Sequence, residues 1–198
     1  MVSIQHRQQK NDGFNWTCGS TCLEMIFDFF GIPFEENEIW EAVKTRRGNS
    51  ATQWFSLTFK LAQYSIEHGL SATIYKAKEN KVSEVLDYLN DNNIPAILSI
   101  MERKSKNSHF VVYTGKKDGK YLFADPNSEK DTTRLNYVDI RDLWKERRSI
   151  DVAGHIFIVF GNVDTYEVCK YCKKEYPVVH NELLENTLAI ICPYCDRG

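Results

Sequence analysis

Apolar residues at positions 22, 23, 26, 27, 29 and 30 of "GSTCLEMIFDFF" recur at three- and four-residue spacing, which predicts an amphipathic helix stopped by Gly31 and Pro33. "FEENEIWEAVKT" and "TQWFSLTFKLAQYSIEHG" repeat the helical period, the second closing at Gly69. "LSATIYKA" alternates as a strand does, and "VSEVLDYLNDNN" predicts a short helix with Ser83 as its cap. Beyond residue 93 the period changes. "IPAILSIM", "HFVVYTG" and "KYLFADP" are short apolar runs punctuated by turns and predict strands; "YVDIRDLWKER" predicts a helix and "GHIFIVFGN" a last strand. Helices first and strands afterwards predict an α+β fold with an antiparallel sheet.

A break near residues 162 to 166 divides the chain into an expected main domain, 1–163, and a cysteine-rich segment, 164–198. The segment carries "CKYC" and "CPYC", Cys169, Cys172, Cys192 and Cys195, separated by residues 173 to 191. Two such pairs at that distance suit one tetrahedral zinc held by four thiolates, whose binding energy would fold a piece too short to build its own core. Four cysteines leave no open coordination position, so the expected Zn2+ is structural. Disulfides are the competing reading and need an oxidising compartment.

Composition narrows the partners. Apolar residues at 42% and charges at 26% are ordinary globular usage, and a net charge of −2 argues against nucleic acid as ligand. The first ten residues, "MVSIQHRQQK", lack the apolar run of a secretion signal, and no stretch approaches the roughly 18 apolar residues of a membrane span. The expectation is a cytoplasmic protein with reduced thiols and no membrane contact.

Cys18 and Cys22 then admit three readings: a core pair, half of a metal site, or a nucleophile with a buried neighbour. A thiolate at a helix N-terminus gains from the helix dipole and from unpaired backbone N–H groups, which favours Cys18; Cys22, beside Leu23 and Ile26, suits a small buried side chain. A cysteine nucleophile needs a base and an orienting group. Of the five histidines, His155 and His109 both open strands. His109 is distinguished by its downstream neighbours: the hairpin dipeptide Asp118-Gly119, then a returning strand that ends in Asp125-Pro126. A turn at 116 to 119 puts residue 110 opposite 125, and a slip of one puts His109 across from Asp125, within side-chain reach.

Together "TCGSTCLEMIFDFFG", "IPAILSI", "HFVVYTGKKDGKYLFADPN" and "YVDIRDLW" resemble the papain-like peptidases that remove double-glycine leaders from bacteriocins. The resemblance spans about residues 9 to 160, with its specific motifs at 17–31 and 109–126. It implies a papain-like cysteine peptidase fold, with Cys18 as nucleophile, His109 as general base, Asp125 as orienter and Cys22 in the core. One departure concerns the oxyanion donor. The family places a glutamine six residues before the nucleophile, where this chain has Asp12; Gln9, with "NDG" forming a longer loop, is the candidate, and Gln8 the weaker one. A second departure is that the family is usually fused to a membrane exporter, whereas no membrane segment is read in these residues and a zinc ribbon is expected to follow.

The expected function is a thiol hydrolase acting on a cytoplasmic peptide or protein, with a protein partner at the ribbon. The Asp12 departure motivates an alternative, a catalytically inactive papain-like binding module; a ribbon-led adaptor is a third reading.

Overall fold

The computed structural model describes residues 2–10, 15–46, 54–147 and 152–198. Asp12 and Gly13, and with them the "NDG" loop, lie outside these residues. The centre is a seven-stranded, wholly antiparallel sheet built from β4 (Ala72–Ala77), β5 (Ala96–Met101), β6 (Ser108–Lys117), β7 (Lys120–Ala124), β8 (Thr133–Leu135), β9 (Ile156–Phe160) and β12 (Thr187–Ile191), in the order β12-β4-β9-β5-β6-β7-β8. Three short strands, β1 (Asn15–Trp16), β2 (Lys44–Arg46) and β3 (Trp54–Ser56), form a small separate sheet, and β10 (Thr165–Val168) pairs with β11 (Glu175–Val178) in a hairpin.

Both faces of the large sheet are covered, which is why its strands read as nearly continuous apolar runs. Ile97, Phe110, Val112, Ile158 and Phe160 face α1 (Cys18–Phe30), α2 (Glu36–Val43) and α3 (Thr58–Glu67). The alternate positions, Leu98, Val111, Tyr113, Phe157 and Val159, face α4 (Val82–Asp91) and α5 (Tyr137–Trp144). The two-residue period of the strands thus divides one apolar run between two cores. On α1 the side chains of Leu23, Met25, Ile26 and Phe27 are wholly buried, each worth about 1.5–3 kcal/mol of transfer free energy, while Phe29 and Phe30 at its end remain partly exposed.

Local departures from the expected elements have clear causes. The helix expected over 52–69 begins only at Thr58, because Trp54–Ser56 is drawn into pairing with both β1 and β2. Ser83 does not cap α4: Lys81 holds that position, and the Ser83 hydroxyl donates to the Glu84 carboxylate. The hairpin turn is tighter than 116–119. Lys117 pairs with Lys120 across Asp118-Gly119, both at positive φ, and a bulge between Tyr113 and Gly115 then shifts the register so that Val112 faces Ala124.

The 164–198 segment contributes to the main sheet and core. Its β12 pairs with β4, and Tyr176, Val178, Val179, Leu183 and Cys192 are buried with the α4 face. From β4, Thr73 Oγ1 donates to Pro177 O (3.1 Å) and accepts from Val179 N (2.8 Å), and Tyr75 OH donates to Val179 O (2.8 Å).

Candidate active site

Cys18 begins α1. Thr17 holds the cap position without a side-chain cap, its hydroxyl donating to Lys10 O instead, and the first turn carries no acidic residue. The backbone N–H groups of Cys18, Gly19 and Ser20 precede the first intrahelical bond, Thr21 N to Thr17 O, so this end of the helix keeps its positive character. Gly19 allows the turn to sit against the sheets: a Cβ there would lie 2.7 Å from Ser56 Cβ and 3.1 Å from the Phe110 ring. Cys18 is 7% exposed, whereas Cys22, one turn on, is wholly buried; burial, then the neighbouring Cys18, raises the Cys22 thiol well above its ordinary range.

His109, at the start of β6, and Asp125, just past the end of β7, come together although they are not opposite one another. Pairing ends at Val112 and Ala124, so the contact is diagonal and spanned by side-chain length. The His109 Nε2–H donates to Asp125 Oδ1 at 2.7 Å. Cys18 lies near enough to the same ring to help raise its pKa, and with Nε2 committed to Asp125 the nitrogen that remains for it is Nδ1. Burial alone would lower the imidazole pKa; the hydrogen bonds to Asp125 and Cys18, with their charges, override it and push it up to about 10. Burial raises the Asp125 pKa, but the hydrogen bond and charge of His109, with the Asn127 N–H at 2.9 Å, leave it below the usual carboxylate range.

The N-terminal segment braces the Asp125 loop. His6 Nε2–H donates to the Asp125 carbonyl (2.8 Å), Gln9 N to Pro126 O (3.0 Å), and the Gln9 side-chain amide to Asn127 Oδ1 (3.2 Å). The Gln9 Oε1 is buried without a partner, and Gln8 is exposed and bonded to Ser128 O. Sequence reading missed His6, placed as it is in a polar lead-in; its contact crosses more than a hundred residues and leaves no local pattern. His155, the competing histidine, lies buried against Trp144 with centroids 5.8 Å apart, and burial lowers its pKa.

Beside His109 and Asp125, on the α5 face of the sheet, lies a cavity of about 320 Å3 floored by Ile100, Val111, Phe123, Leu135 and Leu143 and framed by residues 101–104 and 127–128.

The thiols of Cys169, Cys172, Cys192 and Cys195 lie within 4.8 Å of one another and none is in a disulfide. Cys169 and Cys195 sulfurs are 3.6 Å apart, Cys172 and Cys192 3.7 Å, close to the ~3.8 Å edge of a tetrahedron with metal–sulfur bonds of about 2.3 Å. Each pair forms the same knuckle, with Lys173 and Asp196 at positive φ and the N–H groups of those residues returning to Cys169 O and Cys192 O. Backbone N–H groups of Cys172 and Tyr171 contribute to lowering the Cys169 thiol to about 6. These donors fit a metal ion.

A comparison with curated proteins finds no match. Among solved structures, a double glycine motif protease from an AMS/PCAT transporter in complex with the leader peptide superimposes with a TM-score of 0.56 at 16% identity, covering 80% of this chain and 91% of that one. The peptidase domain of Streptococcus ComA, a bi-functional ABC transporter of a quorum sensing pathway, gives 0.60 at 17% identity over 80% and 98%. At these identities the likeness is one of fold, the papain-like arrangement of helices against an antiparallel sheet. The family model adds sequence to shape: it matches residues 1–152, the stretch that contains α1, His109 and Asp125, and the chain belongs to the Peptidase_C39-like family of cysteine peptidases.

Proposed function

We propose that this cysteine peptidase works through Cys18, His109 and Asp125 on a peptide or protein substrate. One observation carries the reading: a single buried imidazole bonded to a carboxylate on one nitrogen, with a helix-N-terminal thiol among the groups that act on its ring. Asp125 holds the ring so that Nδ1 faces the sulfur. His109 takes the Cys18 proton and the thiolate adds to the scissile carbonyl carbon. The oxyanion that forms meets the first-turn N–H groups of α1, with Gln9 as the side-chain donor, since its amide has a second N–H beyond the one given to Asn127. The carbon–nitrogen bond breaks as His109 returns the proton to the leaving nitrogen. Water, deprotonated by His109, then releases the acyl group and restores the thiol.

The leader-peptide complex of the structural neighbour supports a peptide as substrate class. Six unpaired thiols suit a reducing, cytoplasmic setting. Among the described residues no helix is long and apolar enough to cross a membrane. The four-cysteine site would hold one structural Zn2+ through Cys169, Cys172, Cys192 and Cys195, supplying folding energy to the 164–198 segment, where a protein partner would bind.

Iodoacetamide alkylation of the native protein, followed across acid to alkaline pH with mass spectrometry reading Cys18 and Cys22 separately, tests the triad. Cys18 should react quickly below neutral pH, and His109→Ala should slow that acid-side reaction on the order of tenfold or more. A Cys18 that reacts only on the alkaline side, or is indifferent to His109→Ala, sinks the proposal and favours the inactive binding module.

A further inference from the structure

We propose that the cavity beside His109 is a specificity pocket for the departing half of the substrate, and that it takes an apolar side chain at the first or second residue after the scissile bond. The inference rests on the triad reading above. When the carbon–nitrogen bond breaks, the proton carried by His109 must pass to the leaving nitrogen, so that nitrogen lies against the imidazole and not on the far side of Cys18. The departing segment therefore begins over His109 and runs onward past Asp125. The cavity lies there: His109 and Asp125 form part of its wall and Cys18 does not.

Its chemistry selects the occupant. Ile100, Val111, Phe123 and Leu143 are buried beneath it, Leu135 closes one side, and the polar groups sit at the frame. Two of those frame groups are already engaged, Arg103 with Asp139 and Glu102 with the Asn127 side chain. A charged side chain entering the cavity would lose its water without gaining a partner on the floor, while a leucine, methionine or phenylalanine would cover apolar surface. At about 320 Å3 the space stands at the small end of ligand pockets, which run roughly 300–1,000 Å3, and suits one side chain.

The test uses the full chain and amino-acid amides that mimic the first departing residue. Alkylation of Cys18 by iodoacetamide is timed with leucinamide, phenylalaninamide or glycinamide present. The leucine and phenylalanine amides should protect Cys18 at concentrations on the order of tenfold lower than glycinamide. Thr133→Trp, from a half-buried position on the edge strand, and Leu135→Trp both fill the cavity, and the ratio between amides should collapse in whichever folds. Equal protection by all three amides, or a ratio that survives the filling variants, overturns the pocket while leaving the triad standing. Cys18 alkylation that is slow below neutral pH without any amide overturns the triad reading itself, and the pocket with it.

Discussion

Replacing Asp125 by asparagine keeps the side chain's shape and removes its charge. His109 is 5% exposed and its imidazole pKa rises from 6.5 to about 10. Burial works against that rise, so the partners must supply it, and Asp125 lies 2.7 Å away. An opposite charge at this range moves a pKa by about 1–3 units, worth roughly 1.4–4 kcal/mol. A group whose pKa is raised on folding stabilises the folded state fully below its unfolded pKa, here near 6.5, and that contribution drains away as pH climbs to about 10. Asp125, held below the usual carboxylate range, contributes above about pH 3.9 and loses its contribution as pH falls further. The difference in unfolding free energy between wild type and Asp125→Asn should therefore stand at its full value from about pH 4.5 up to the variant's lowered His109 pKa, about 7–9, and fall away from there to about pH 10. Urea unfolding of both proteins at a series of pH values measures it, and groups titrating alike in both cancel. NMR titration of labelled His109 should show its pKa lower in the variant by about 1–3 units. A free-energy difference that is flat across the alkaline range, or a His109 that titrates alike in both proteins, would refute the electrostatic account of the pair.

Gly19→Ala forces a Cβ to within 2.7 Å of Ser56 Cβ and should cost about 1–3 kcal/mol in chemical denaturation; Ser56→Gly should restore much of it in a double-mutant cycle, and additive costs would show the contact is not the cause. Cys22→Ala should leave Cys18 alkylation at its wild-type rate, and in the native wild-type protein Cys22 should resist iodoacetamide; labelling of Cys22 at a rate comparable to Cys18 contradicts its assignment to the core. Gln9→Ala should lower the rate of peptide hydrolysis on the order of a hundredfold if Gln9 donates to the oxyanion, and leave it unchanged if the backbone N–H groups suffice. Removal of metal by a chelator should lower the melting temperature of the whole chain in one calorimetric transition, because β12 is a strand of the main sheet; a separate low-temperature transition of the 164–198 segment would show that its pairing to β4 carries little energy.

What was legible in the sequence was what local chemistry controls. The stripe of α1, its stop at Gly31, the place of Cys18 at the helix start and the complete burial of Cys22 one turn on all follow from one 3.6-residue period and one helix end. The meeting of His109 with Asp125 was foreshadowed by Asp118-Gly119, though the register was not: the tighter turn moves the pairing by two residues and the bulge between Tyr113 and Gly115 takes back one, leaving a diagonal rather than an opposed pair. Trp54–Ser56 looked helical because its apolar residues also fit the period of α3, and tertiary pairing overrode that preference. The brace formed by His6 and Gln9 on the Asp125 loop was invisible, since each contact joins residues more than a hundred positions apart. The cysteine spacing announced the knuckles but not the entry of their segment into the sheet, because β12 is a short apolar run and nothing in it names β4 as its neighbour.

The strand order has a consequence for how the molecule comes into being. β4 ends at Ala77, while its two neighbours begin at Ile156 and Thr187. During synthesis β4 therefore emerges with both edges open, and it stays so until the chain has been made past Ile156 on one side and Thr187 on the other. Closing such long loops is entropically slow, and an unpaired apolar strand invites association with other nascent chains. Lys76, near the end of this strand and paired with Glu146 in the finished fold, puts a charge on an otherwise uncharged template in the interval. β12 completes this sheet. A ribosome-stalled or truncated chain ending before Thr187 would already carry Cys18, His109 and Asp125 yet lack the strand that seals β4, and it would be a substrate for chaperones before it was an enzyme.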